Sequence, residues 1–456
     1  MTRKWWKNRR GLSRRGFLGG AAGTAALGTF WANDTIEAYQ NNVKTASKPS
    51  DLKITDLRFA HVIGAPMRAP IIRIDTNQGI AGYGEVRDGA SVTYALILKS
   101  RLLGKNPCNV DKIFREIKQF GFHARQAGGV CGIEMALWDL AGKAYNVPAY
   151  QMLGGKFRDK VRLYCDTTES HDAKVYGERL KKRREEGFTF LKMDLGVDLV
   201  ENIPGCVSAP LGTNQRSATL VPHMFTGMEI TEKGIGLMCD YVGQIREMVG
   251  WDIPLAADHF GHLGVNSCIR LGKGLTKYNM AWLEDMVPWT QTELLKQITN
   301  SVDIPILTGE DIYLKEPFIE LCRNHAVDLI QPDLATSGGL LETKKIGDAA
   351  MELGHGMAMH FAGTPISFMA NVHCAAATEN FIALENHSVD VPWWKNLVTG
   401  NDQPVYEKGW AVVPDKPGLG VEPNPEEVKK HLAPGTGYFE PTENWNNERS
   451  WDRLYS

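Results

Sequence analysis

Asp258, Glu284 and Glu310 stand at equal steps of 26 residues along the chain. Each closes a short run of β-forming residues. If those runs lie side by side, three carboxylates meet at one place, and they would repel strongly without a cation between them. Hard oxygen donors with no cysteine among them suit Mg2+. Any one of these acids alone reads as a strand-end cap or an ion pair; the repeated step makes the set a candidate metal site. The next two runs end in Asp333 and His360. A carboxylate beside an imidazole orients the ring and supports its protonated form, as a general base requires. Glu385 ends one more run, where it could donate a proton, stabilise charge opposite the metal, or form a structural ion pair.

The elements that must position these residues repeat as one strand plus one helix. Eight β-rich runs cover 161–166, 188–194, 254–258, 280–284, 305–310, 327–333, 356–360 and 381–385. Their polar ends are Asp166, Lys192 with Asp194, Asp258, Glu284, Glu310, Asp333, His360 and Glu385. From Asp258 the steps are 26, 26, 23, 27 and 25 residues. Helical periodicity fills the gaps, as in 291–300 and 339–353. Eight such units predict a closed α/β barrel, with every strand end on one face. The interval from Lys192 to Asp258 is 66 residues, and its extra stretch, 198–232, is rich in Pro and Gly. It is either a loop over the barrel mouth or a surface excursion or oligomer contact. Ahead of the barrel, 54–63, 71–76 and 80–86 alternate as an antiparallel meander, followed by helical patterns in 90–103, 109–118 and 132–145. The expected organisation is a cap over 51–155, a barrel over 156–402, and a segment over 403–456 that returns to the cap.

Composition sets the class. The chain has 456 residues, 43% hydrophobic and 23% charged, which is globular. A core of that size folds without disulfide or metal staples. The net charge of -2 is uneven: residues 1–15 carry seven positive charges and no acid, which leaves -9 on residues 33–456. An acidic body argues against a nucleic-acid partner. Arg14 and Arg15 precede a soft, uncharged run from Gly16 to Ala32. A basic region before a short apolar one reads as a bacterial export signal of twin-arginine type over 1–32, with a polar linker over 33–50 and a periplasmic destination. The run is short and Gly-rich for a stable anchor across ~30 Å of hydrocarbon. None of the eight cysteines forms a CxxC pair, which argues against a zinc ribbon or a thioredoxin-like site. Export would permit disulfides, whereas the apolar surroundings of most cysteines favour buried thiols.

Together the strand-end strings resemble the enolase superfamily, in its mandelate racemase-like branch. They are Phe190-Leu191-Lys192-Met193-Asp194, Ala257-Asp258-His259, Trp282-Leu283-Glu284-Asp285, Thr308-Gly309-Glu310, Gln331-Pro332-Asp333 with Ser337-Gly338-Gly339, and Met359-His360. The string from Gly132 to Lys143 is similar to a helix of the family's capping domain. The resemblance spans about residues 52–420. It implies a (β/α)7β modified TIM barrel with an N-terminal α+β capping domain. It also implies a Lys or His base that removes a proton next to a carboxylate, with Mg2+ stabilising the enediolate.

Two positions depart from the family pattern. Members with a second-strand base carry Lys-x-Lys, and here the second place is Asp194, a candidate substrate contact that, if ionised, would repel the charge of an enediolate. Lys192 remains, and could bind the substrate carboxylate. The His that sugar-acid dehydratases often place two residues after the first metal ligand is Phe260, flanked by His259 and His262, either of which could act as acid. Arg68, Arg87, His123 and Arg125 in the cap are candidate substrate contacts or solvated surface residues, and the cap also offers Glu85. The expected activity is dehydration of an acid sugar to a 2-keto-3-deoxy acid, by a homo-oligomer. The alternatives are a racemase, epimerase or cycloisomerase on the same scaffold, or an inactive exported sugar-acid binding protein.

Overall fold

Strands β1 (Ile54–Val62), β2 (Ala69–Thr76) and β3 (Ala81–Glu85) form the expected antiparallel meander, with Phe59 opposite Ile72 and Arg73 opposite Tyr83. This computed structural model describes residues 47–122, 124–208, 228–261 and 263–448. The expected export signal, the linker up to residue 46, His123 and His262 lie outside the described residues. Helices α1 (Val110–Ile117) and α2 (Ala127–Tyr145) complete the cap. The second helix begins five residues before its periodic pattern does. Gly128 and Gly129 read as weak helix formers in sequence, yet here they let the first turn press on backbone: a Cβ on Gly128 would lie 2.6 Å from Arg87 Cβ, and one on Gly129 2.3 Å from the Tyr94 carbonyl carbon. The helical pattern over 90–103 resolves into two short helices, Thr93–Leu96 and Lys99–Leu102.

The eight barrel runs become β4 (Lys160–Cys165), β5 (Leu191–Asp194), β6 (Leu255–Asp258), β7 (Leu283–Glu284), β8 (Ile306–Thr308), β9 (Leu329–Ile330), β10 (Gly356–Met359) and β11 (Phe381–Asn386). Each pairs in parallel with the next, and β11 pairs with β4 to close the barrel. Seven helices follow the first seven strands: α3 (Ala173–Glu185), α4 (Glu232–Val249), α5 (Val265–Leu275), α6 (Thr292–Thr299), α7 (Lys315–Arg323), α8 (Gly339–Glu352) and α9 (Pro365–Ala377). This is the (β/α)7β pattern.

Strand alternation sorts the side chains. Tyr164, Phe190, Ala256, Trp282, Leu307, Ala358 and Ala383 point inward as a buried plug. Two residues further along their strands come Lys192, Asp258, Glu284, His360 and Glu385, on the same inward face and nearer the mouth. Strand β8 breaks the alternation at Gly309, whose φ of +151° brings Glu310 inward instead.

The long interval after β5 holds a short helix, Asp198–Glu201, and a two-stranded ladder of Val207–Ser208 with Glu229–Ile230. Its far end is tied to the β6–α5 connection, where the Gly264 amide donates to Met228 O at 3.1 Å. Residues 209–227 lie outside the described residues. The C-terminal segment serves both domains. Strand β12 (Trp410–Val412) pairs antiparallel with β4, and then the Ala433 amide donates to His61 O and the Phe439 amide to Phe59 O in the cap. All eight cysteines are free thiols, seven of them buried. Among the described residues no helix is long and apolar enough to cross a membrane.

Candidate active site

Lys192 stands at the centre of the mouth. Its Nζ lies 2.7 Å from Asp258 Oδ2, 3.1 Å from Glu284 Oε1 and 2.9 Å from Glu385 Oε1. All four side chains are buried. Burial opposes the charge on Lys192, but the three carboxylates outweigh it and hold the ammonium well above its usual range. Burial, then Asp258, drives Glu284 up, with Glu385 and Asp285 adding to the shift. Burial and the neighbouring Glu310 and Asp258 push Asp285 to about 8. The nest thus holds more negative charge than one ammonium satisfies.

A second cluster surrounds His360. Its Nδ1 lies 2.6 Å from Asp333 Oδ2, and its Nε2 lies 3.1 Å from Glu310 Oε2 and 3.8 Å from Glu385 Oε2. Asp333 is fixed at both ends. It caps the short helix Leu334–Ser337, accepting from the Ala335 amide at 2.7 Å, and its other oxygen takes the imidazole and the Arg87 guanidinium. Burial opposes both charges; Arg87 and His360 still hold Asp333 low, and Glu310, Glu385 and Asp333 hold His360 above its usual value. The expected pairing of Asp333 with His360 is therefore present as an oriented dyad.

The cap contributes directly. Arg87 is buried and reaches Asp333, Asp88 at 2.9 Å and Glu310 at 3.4 Å. Three carboxylates occupy the guanidinium that the sequence suggested as a substrate contact, so it organises the dyad instead. Glu85 sits at the end of β3, accepting from the Thr364 amide at 3.0 and 3.1 Å, and burial pushes it to about 8. Arg125, 40% exposed, faces Asp88 at 3.8 Å and Asp311 at 4.0 Å. It lines a cleft of about 580 Å³ between cap and barrel, with Phe122, Trp289 and Tyr313. Arg68 is exposed, and its charge acts on His61 of β1.

The remaining candidates divide. His259, in a left-handed turn at φ +58°, has a side chain 66% exposed, with Nε2 3.6 Å from Asp258 Oδ2. Phe260 is buried. Burial, a hydrogen bond with Glu169 and the charge of Asp166 raise Asp194 to about 9, so it is protonated at neutral pH rather than an ionised neighbour. Glu385 is the reverse case. Burial opposes its charge, but Lys192, His387 and His360 hold it well below the usual range, so it carries no proton to donate. Tyr164 Oη donates to Glu385 Oε2 at 2.9 Å, and Gln331 Nε2 donates to Tyr164 Oη at 2.7 Å.

Sequence reasoning missed His387. Its Nδ1 lies 3.2 Å from Asp166 Oδ2 and its Nε2 3.2 Å from Glu385 Oε1. The signal was available: His387 is two residues past Glu385, and a strand puts such a pair on one face.

Donor chemistry decides which residues could hold a metal. By distance, His360, Glu385 and His387 gather within 4.8 Å of one another. Each nitrogen of both rings already faces a carboxylate, His360 those of Asp333 and Glu310 at 2.6 and 3.1 Å and His387 those of Asp166 and Glu385 at 3.2 Å, so neither ring turns a free nitrogen to a shared ion. Asp258 and Glu284 converge where positive charge is short, and Glu310 ends the adjacent strand, turned here to Arg87 and His360. These hard oxygens fit a divalent cation of the Mg2+ type.

Residues 36–154 match the family described as mandelate racemase / muconate lactonizing enzyme, N-terminal domain, and residues 175–428 match enolase C-terminal domain-like. The chain is 34% identical over 403 residues to a D-xylonate dehydratase of Haloferax volcanii, covering 86% of this chain and 91% of that one. It is 28% identical over 376 residues to an arabinonate dehydratase of Saccharolobus solfataricus, covering 78% and 88%. Among solved structures, a mandelate racemase/muconate lactonizing enzyme-like protein from Rubrobacter xylanophilus superposes with a TM-score of 0.76 at 28% identity, covering 86% of this chain and all of that one.

Proposed function

The chain belongs to the mandelate racemase/muconate lactonizing enzyme family of enolase-like proteins, and from that premise we propose that it is an acid-sugar dehydratase, a hydro-lyase that converts an aldonate to a 2-keto-3-deoxy acid. Relatives named as dehydratases of xylonate and arabinonate support the substrate class. The observation that carries the choice of reaction is the state of Lys192. Racemisation at one carbon needs a base on each face, and an ammonium bound by three buried carboxylates cannot serve as one. Asp194 stands where a second lysine would have to be. His360 is left as the single oriented base, and dehydration can manage with one.

In the proposed reaction His360 removes the α-proton of the substrate. Asp333 holds the ring and shares the charge that it gains. Arg87 fixes Asp333, and Glu85 anchors the preceding strand to Thr364. Asp258, Glu284 and Glu310 are the residues that would hold Mg2+, which when bound supplies fixed positive charge against the negative charge developing on the substrate carboxylate.

The test is a panel of five- and six-carbon aldonates and uronates with Mg2+, run in D2O and assayed for 2-keto acids. His360→Asn should lose both turnover and α-proton exchange, by ~10²–10⁴-fold. Exchange with inversion of configuration, or exchange surviving in His360→Asn, would replace the dehydratase with a racemase or epimerase. Ligand binding without any exchange would leave an inactive binder. We also propose export to the periplasm, on the Arg14–Arg15 pair and the soft run behind it. Changing both to Lys should retain the protein in the cytoplasm, and unchanged export would refute that address.

A further inference from the structure

Loss of water needs a proton for the departing β-hydroxyl, because free hydroxide leaves poorly. Glu385 is ionised, Phe260 is apolar and buried, and the His259 side chain is 66% exposed. Resting on the dehydratase reading, we propose that His387 is the catalytic acid, its Nε2 giving a proton to the β-hydroxyl while His360 takes the α-proton. His387 occupies the next inward position past Glu385 on the same wall as His360, with ring centroids 5.7 Å apart. The two bonds that break are on adjacent carbons, so acid and base must be neighbours. The Nε2 atom is buried and lies 3.2 Å from Glu385 Oε1, yet off the line that a hydrogen bond needs, so it has no aligned acceptor. Asp166 at Nδ1 orients the ring. Asp166 and Glu385 face the imidazole as anions, His360 faces it as a cation or neutral ring, and Lys192 offsets part of the charge on Glu385. Against the effect of burial, Glu385 and then Asp166 hold His387 well above its usual pKa.

The step balances without an oxidant or reductant. The α C–H electron pair forms the carbon–carbon double bond, the β C–O pair leaves on oxygen, and the His387 proton completes water. The enol proton returns through solvent to His387, which is 13% exposed, and the proton on His360 passes to the β-carbon as the ketone forms.

The test uses whichever aldonate the wild type consumes, with its 3-deoxy-3-fluoro analogue, since fluoride leaves without a proton. His387→Asn should form 2-keto acid at least ~100-fold more slowly. It should still exchange the α-proton in D2O and still release fluoride. Unchanged dehydration, or fluoride release lost together with dehydration, overturns the assignment. So does the same uncoupling in Asp194→Asn, the rival protonated donor. If His387→Asn fails to fold, Asp166→Asn decides. Removing that anion weakens the hold on the imidazolium, so the alkaline limb of the rate profile should move to lower pH, and an unmoved limb refutes the role. A wild type that exchanges no α-proton in any aldonate instead fails the dehydratase reading.

Discussion

Lys192 is enclosed by three buried carboxylates that face one another as much as they face it. Their distances of 2.7 to 3.1 Å make it the hub of the barrel mouth. Removing one partner of a buried ion pair leaves charge stranded in a medium that solvates it poorly, at about 3–5 kcal/mol. Lys192→Met should therefore lower the melting temperature in EDTA, and Mg2+ should raise it by more than in the parent, because Asp258 and Glu284 would then depend on the divalent cation alone. A variant as stable as the parent in EDTA, or one indifferent to Mg2+, would sink this account. Strand ends located in sequence were enough to find Lys192, Asp258, Glu284, Asp333, His360 and Glu385. Charge states were not legible there. Asp194 reads as an anion until its burial beside Glu169 and Asp166 is seen, and Glu385 reads as a possible donor until Lys192, His387 and His360 are found around it.

At the scale of elements, the barrel was legible because a strand and a helix consume a nearly constant length of chain, and the strand ends carry the polar residues. Helix α2 was harder to delimit. Its early glycines look like breakers, and only a close tertiary approach explains them. The same approach continues at β3, where Cβ atoms on Gly82 and Gly84 would lie 2.1 Å from Ala136 O and 2.0 Å from Gly132 O. Neither backbone can yield without lifting the helix from the sheet. Gly84→Ala should destabilise the protein by about 1–3 kcal/mol or more. Because β3 leads into Glu85 and Arg87, activity should fall with it at temperatures where the fold survives. A Gly84→Ala variant with the parent's melting curve would mean that the helix seats less tightly than this.

At the scale of the molecule, cap and barrel build one site between them. Arg87 and Asp333 are 246 residues apart in sequence and pair inside the mouth, and no local pattern announces such a contact. Glu85 makes the neighbouring contact, joining the end of β3 to Thr364, which caps α9 of the barrel. Burial raises this carboxyl from 4.5 to about 8, so the fold keeps a proton that the unfolded chain sheds above pH 4.5. The sign follows directly. The stability contributed by the protonated group is fully present below pH 4.5 and is lost as the pH rises through 8, with a slope of up to ~1.4 kcal/mol per pH unit. Glu85→Gln keeps a neutral side chain that can accept from the Thr364 amide and donate to its hydroxyl, but it has no proton to lose. Comparing the two proteins cancels other titrating groups such as Asp285 and Asp194. Below pH 4.5 the difference in melting temperature between parent and variant should be flat. From pH 5 to 8 the parent should fall progressively behind. Parallel curves over that range would mean that Glu85 is ionised in the fold and that the junction between cap and barrel is held by a charged carboxylate.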